Sequence, residues 1–142
     1  MTADIDDVVV ALAARISTGL SAITLGGRTF AYAPDSVNPP CAIVLPSNGD
    51  FVAYDVTYDG ADNFELTVKL LVGTAVSRTA QIELLGYLSR SGSTSVRAAI
   101  YGDKTLGGTV ADLKVEGARS YGDVEWAGVV FFGAELVVTA YS

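Results

Sequence analysis

Asn63-Phe64-Glu65-Leu66-Thr67-Val68-Lys69-Leu70-Leu71-Val72 is the stretch on which the fold of this chain turns. Phe64, Leu66, Val68 and Leu70 alternate with Glu65, Thr67 and Lys69. That period of two places one set of side chains on the core face of a strand. Just upstream, Phe51 to Tyr58 alternates in the same way, and Asp59-Gly60 between the two segments is a strong turn signal. Together they predict a long hairpin whose tip carries Asp55, Asp59, Asp62 and Glu65.

Downstream of the hairpin the period changes. Ser77 is an N-cap for a helix over Arg78 to Arg90, with Leu84, Leu85 and Leu88 on its apolar face and Ile82 nearby. Ser91-Gly92 ends it, and Ser93 caps a short third helix through Ile100, with Val96, Ala99 and Ile100 inward. Asp103 to Gly108 is a turn-rich link plugged by Leu106. Val110 to Ala118 reads as a strand, Tyr121-Gly122-Asp123 as a turn, and Val129 to Tyr141 as a long strand with a bulge or break at Gly133.

Upstream, Cys41 to Leu45 is a buried strand closed by Pro46. Thr29 to Ala33 is a short strand, and Asp35 to Pro40 an extended loop, because each proline restricts the residue before it. Ile5, Val8, Val9, Leu12 and Ile16 fall on one helical stripe. Asp4 caps that helix, Asp6 and Asp7 suit the positive end of its dipole, Arg15 lies in its last turn and Gly19 stops it. Strands grouped in sequence, rather than alternating singly with helices, indicate an α+β domain. The architecture expected is a mostly antiparallel, mixed β-sheet with the N-terminal helix and two further helices packed on one face. At 142 residues, without a visible repeat or low-complexity linker, residues 1–142 read as one domain.

Composition narrows the function. Half of the residues are hydrophobic, enough for an ordinary core with apolar area left for contacts between subunits. No run approaches the roughly 18 apolar residues of a membrane span. The acidic start lacks the basic region of a secretory signal, so synthesis and retention in the cytosol are expected. With 9 basic residues against 16 acidic, net charge −7, the chain lacks the clustered cations that grip a phosphate backbone.

Candidate chemistry is sparse. Histidine is absent, which removes the commonest general base and the commonest zinc ligand. Cys41 is the single cysteine, so neither an intrachain disulfide nor a multi-cysteine metal site is open to the chain; its ordinary reading is a small core residue. Gly102-Asp103-Lys104-Thr105 echoes a phosphate-binding loop but has the wrong glycine spacing, and reads as a turn or interface loop. Asp55, Asp59, Asp62 and Glu65 offer oxygens to a hard cation but not the spacing of a calcium loop, and read as a solvated hairpin tip. No catalytic residue, metal site or cofactor is expected. The tyrosines and Trp126 suit packing and subunit contacts.

The combined pattern resembles the tail terminator family of long-tailed bacteriophages. The amphipathic N-terminal helix, the proline-flanked strand Asn38 to Pro46, the Phe64 to Val72 strand, Ala80-Gln81 with Leu84 to Leu88 on a helix, and the apolar strand ending at Tyr141 carry the likeness. So do the segments Gly92 to Ile100 and Asp103 with Thr105 to Val110. It spans nearly the whole chain. The resemblance implies a virion protein of the tail–neck junction, made in the host bacterial cytoplasm. It implies a closed, usually hexameric, homo-oligomeric ring seated on the major tail tube protein. That ring stops tube polymerisation, faces the head–tail connector or stopper protein, and passes DNA through its lumen without specific binding. The nearest alternative is another neck component, a head-completion or stopper protein. Less close are a small enzyme using two carboxylates alone and a domain that binds a peptide by strand addition.

Within this reading, two surfaces are expected to carry contacts. The first is the hairpin, with Asp50, Tyr54, Asp55, Tyr58, Asp59 and Asp62, facing tube or lumen. The second joins subunits through Ser93 to Val110, including Ser93, Arg97 and Leu106, and through the terminal strand to Tyr141.

Overall fold

The computed structural model describes residues 4–20, 29–32, 39–55, 58, 61–74 and 77–141. They form α1 (Ile5–Gly19), β1 (Thr29–Phe30), β2 (Cys41–Pro46), β3 (Val52–Ala53), β4 (Asn63–Gly73), α2 (Arg78–Tyr87), α3 (Val96–Tyr101), β5 (Asp112–Trp126) and β6 (Val129–Tyr141). The strands make one mixed sheet in the order β1-β2-β4-β6-β5, with β3 pairing β4 beyond the end of β2. Only the β1–β2 pair is parallel; the other described pairings are antiparallel. The fold is α+β, as the grouping of strands along the chain indicates.

The period-two pattern of β4 places its residues as the alternation requires. Phe64, Leu66, Val68, Leu70 and Val72 join the main core, where they meet Ala42 and Val44 of β2 and Ala134, Leu136, Val138 and Ala140 of β6. The helices cover this face. Val8, Val9, Leu12, Ala13 and Ile16 of α1 are buried in it, with Leu84 and Tyr87 of α2 and Val96, Ala99 and Ile100 of α3. On the other face, Cys41, Ile43, Leu71, Val124 and Phe131 form a smaller cluster flanked by Leu45 and Trp126. Cys41 is a buried core residue, as its apolar neighbours suggest.

Several elements depart from the sequence reading, each for a local reason. Among the described residues, the strand expected over Phe51 to Tyr58 is seen at Val52–Ala53, and the described part of the hairpin is a short pairing of Val52 with Phe64 and Ala53 with Asn63; residues 56, 57, 59 and 60 lie outside the described residues. Asp55, just beyond, takes a left-handed φ of 53° and donates its backbone N–H to Asp62 Oδ1 at 2.9 Å, which turns the chain out of the ladder. The first strand spans Thr29–Phe30 only, within the expected Thr29 to Ala33; Ala33 and the loop at 35–38 lie outside the described residues.

Helix α2 ends at Tyr87 rather than Arg90, and its inward side chains are Leu84 and Tyr87; Ile82 and Leu85 are exposed. The Tyr87 hydroxyl donates to Glu83 Oε1 at 2.6 Å, so the ring is buried with its polar tip satisfied. The cap of α3 is Ser95, not Ser93. Its Oγ accepts from Ala98 N at 3.1 Å and donates to the Ser89 carbonyl, tying α3 to the end of α2.

The expected turn at Tyr121-Gly122-Asp123 lies inside β5. Its turn-forming residues instead make a bulge: Ser120 and Gly122 have φ of 58° and 133° where the β5–β6 register shifts between Arg119 and Gly122. The hairpin reverses at Ala127-Gly128, with φ of 53° and 81°, the two-residue geometry that matches strand twist. Opposite that bulge, Gly133 of β6 pairs with both Leu71 and Gly122, where the β4–β6 register also shifts. The bulge or break expected in the terminal strand at Gly133 is not in β6, which runs unbroken; the extra residues lie opposite it, in β4 and β5.

Gly19 closes α1 without a left-handed turn, since Leu20 continues in extended backbone. A Cβ on Gly19 would lie 2.6 Å from Ala99 Cβ and 2.9 Å from Ala99 Cα. The glycine is there for the close approach of α1 to α3, not for a left-handed cap. Arg15 falls short of the last helical turn.

Candidate functional site

The ten residues expected to make contacts do not form one constellation. Five of them, Asp50, Tyr54, Asp55, Asp62 and Tyr141, gather at one end of the sheet. Asp50 lines an open cleft of about 200 Å³ with Phe51, Asn63, Glu65 and Thr139. Tyr54 and Asp62 line another of about 410 Å³, whose far wall is Asp4, Ile5 and Asp6 of the α1 entry. Tyr141 pairs with Asn63 on one side and Asp112 on the other, at the same end. Asp55 is exposed beside them, Tyr54 is 74% exposed, and Tyr58 is fully exposed. Asp59 lies outside the described residues.

This end of the molecule is therefore acidic on both sides of β3, because packing brings the capping region of α1 against the start of β4. The contribution of Asp4 and Asp6 was not visible in the sequence, where they read as helix caps alone. Two of these carboxylates hold local structure: Asp62 Oδ1 accepts from Asp55 N, and Asp6 Oδ1 accepts from the Tyr32 hydroxyl at 2.5 Å. That bond, reinforced by the charges of Asp6 and Asp7, holds the Tyr32 phenol above its ordinary pKa. Among the described residues, no group of three or more His, Cys, Asp or Glu is arranged to hold a metal ion.

The second expected surface splits apart. Ser93 is exposed between α2 and α3. Arg97 is turned onto its own molecule, 4.3 Å over the Tyr101 ring, and donates to the Arg90 carbonyl at 3.3 Å. Leu106 is 6% exposed, so its side chain belongs to the core rather than to a contact surface. Strand β6 lies between β4 and β5 and is paired on both sides from Phe132 to Tyr141, so that part of its backbone has no free side to offer a neighbour.

What the sequence did not disclose is the free edge. β5 ends the sheet order, so one side of a 15-residue strand has no pairing partner among the described residues. Lys114, Glu116, Arg119, Asp123 and Glu125 stud it and two register shifts interrupt it, the devices by which proteins keep an edge from indiscriminate pairing. At the far end, Tyr121, Val129 and Val130 are half-exposed, with Tyr121 set edge-on to Phe132 at 5.2 Å between ring centroids. Apolar residues beside an edge that is otherwise charged mark a surface suited to a specific partner.

Behind this edge, Glu135 joins β5 to β4. Its carboxylate lies 3.2 Å from Arg119 Nε and 3.8 Å from Lys69 Nζ, while Arg119 also reaches Thr67 Oγ1 at 3.4 Å. Thr67 is buried and shares a 2.8 Å hydrogen bond with Ser47. The Glu135 side chain is 16% exposed and that of Arg119 47%, so screening reduces the second pair. Glu135→Ala is expected to lower stability by about 1–2 kcal/mol, because it leaves two cations without their common anion. Urea unfolding with and without high salt checks this; salt should narrow the difference.

The loop after α3 is held by one carboxylate. Asp103 accepts from Thr105 Oγ1 at 2.8 Å, Gly107 N at 2.9 Å and Thr105 N at 3.2 Å. The Thr105 hydroxyl, then the Gly107 N–H, hold its pKa below the ordinary value. A lowered carboxylate adds order above the unfolded value, and that order is lost as pH falls through the folded value. Acid titration followed at the Thr105 and Gly107 amides should therefore show a midpoint below that of a free aspartate. Asp103→Asn should abolish the transition.

No protein-family model matches the chain, and no curated protein matches it significantly.

Proposed function

We propose that this chain is a non-catalytic structural protein of a long-tailed phage virion, forming a ring that caps the tail tube. The ring stops tube growth and presents a surface to the head–tail connector. The observation that carries the proposal is the β5 edge, free among the described residues, together with the exposed apolar side chains of Tyr121 on β5 and Val129 and Val130 at the start of β6. A surface of this kind, offered to a different face of the next copy, makes a head-to-tail contact that closes into a ring when the rotation permits. The sequence resemblance supplies the biological setting. The acidic end around Asp4, Asp50, Asp55 and Asp62 and the net charge of −7 suit a lumen that repels DNA while letting it pass.

The test is to add purified protein to growing tail tubes and, separately, to isolated head connectors. Arrested tubes with a ring at one end in negative stain are expected. Val129→Lys with Val130→Lys should abolish the caps by burying unpaired charge in the apolar part of the subunit contact. Binding to connectors alone would assign the protein to another position in the neck. Binding to neither would overturn the proposal.

A further inference from the structure

One cleft lies apart from the acidic end and the β5 edge. It is open, about 330 Å³, and lined by Ala11, Ala14, Arg15 and Thr18 of α1 and by Asp103, Leu106 and Gly107 of the following loop. The four helical residues stand at spacings of three and four, so they form one face. Apart from Arg15 their side chains are short, which leaves the guanidinium as the principal polar feature of the wall.

The electrostatics of this cleft are lopsided. Arg15 Nε is buried and has no acceptor among the described residues. No carboxylate among them lies within ion-pair distance of Arg15. Asp103 sits in the same cleft, but its oxygens are engaged by Thr105 and Gly107. It lowers the field around the cation without satisfying it. The guanidinium also rests against the chain at Gly102, where a Cβ would meet its Cζ and Nη2 at an ordinary contact distance of 3.4 Å. Buried donors are rarely left unbonded, because each forfeits the hydrogen bonds it had in water. A planar fork held in place with free donors is matched by a carboxylate, which takes two parallel N–H bonds from it.

We infer that the Arg15 cleft receives an acidic side chain from a second copy of this chain. The sequence carries 16 acidic residues against 9 basic ones, so a neighbouring copy brings an excess of carboxylates, and a cleft walled on two sides admits a side chain on a polypeptide. The inference rests on the self-association proposed above and adds a cationic contact on the helix side of the sheet, distinct from the β5 edge.

The test is sedimentation equilibrium of the full chain over a concentration series, with thermal unfolding as a check on folding. Arg15→Gln is expected to weaken self-association on the order of tenfold or more, as loss of a charge-assisted pair does, with an unchanged Tm. Arg15→Lys should fall between, since it keeps the charge but not the fork. Thr18→Glu supplies a carboxylate from the same helix, three residues away, and should weaken association while leaving Arg15 in place. Self-association unaffected by Arg15→Gln, or a wild-type chain that stays monomeric throughout, would overturn the inference. Neither result bears on the capping of tail tubes, which is read separately by microscopy. If acetate shifts the Gly102 and Gly107 amides while Arg15→Gln leaves self-association unchanged, the cleft is a small-anion site and the second copy is not its occupant.

Discussion

Gly133→Ala is expected to lower folding stability by about 3 kcal/mol or more, because overpacking a core usually costs 1–3 kcal/mol and a backbone collision exceeds that. An added Cβ at this position falls onto the Leu70 carbonyl oxygen, with the Leu70 carbonyl carbon at 3.0 Å and Leu71 Cα at 3.3 Å. All three atoms belong to the backbone of β4, so no rotamer change relieves the contact. β4 cannot withdraw either. It is paired along its length with β2 on one side and β6 on the other, and its Leu70 side chain is fully buried. Relief would require β4 and β6 to separate where both register shifts meet, which would also loosen Phe131 and Phe132 beside the glycine.

Domains of this size are stable by only about 5–15 kcal/mol, so a fall in soluble yield should accompany the loss. The control is Gly117→Ala in β5. That glycine sits at a register shift of the same hairpin but has open space around a prospective Cβ, and a change within about 0.5 kcal/mol is expected. Urea midpoints measure both. Equal midpoints for the two variants would mean that the strands do not cross as closely as described.

Gly19→Ala should produce the next largest loss, about 2–3 kcal/mol. The new methyl would press on Ala99 Cβ at 2.6 Å and on Ala99 Cα at 2.9 Å. The nearest atom can be removed by mutation, so the pair suits a double-mutant cycle. Ala99→Gly alone should cost about 1 kcal/mol, since it weakens a helix. The double variant should be less destabilised than the sum of the two by about 1 kcal/mol or more, because neighbours in contact couple. Strict additivity would show that α1 and α3 do not meet at this point. A role for Gly19 as a helix stop alone predicts no coupling with Ala99.

These glycines illustrate the boundary between sequence and tertiary information. Gly19 reads naturally as the end of a helix, and it is one; Gly133 reads as an interruption of a strand, but β6 passes through it unbroken and the irregularities fall in β4 and β5. Neither reveals that the missing side chain makes room for another element, because the crowding atoms are contributed by residues dozens of positions away. Turn chemistry misled for a related reason. Tyr121-Gly122-Asp123 carries a strong local signal, but a long paired strand can absorb such residues as a bulge, whereas Ala127-Gly128 carries a weaker signal and makes the actual reversal. In α2, a tyrosine took the core position expected of a leucine because Glu83 satisfies its hydroxyl.

By itself the sequence determined what depends on periodicity and inventory. The α1 stripe, the two faces of β4, the buried Cys41 strand and the α+β class follow from spacing, since helices and strands repeat every 3.6 and 2 residues whatever surrounds them. The lack of histidine and the acidic balance are likewise complete without coordinates. Tertiary structure alone decided which strand was left at the sheet edge, that the α1 entry joins the β3–β4 acids at one end, and that Arg15 Nε is buried with no acceptor among the described residues while Asp103 is engaged by its own loop. Those properties belong to pairs of distant segments. The strand order and the close packing of helices fix them, and no local window of the chain contains both partners.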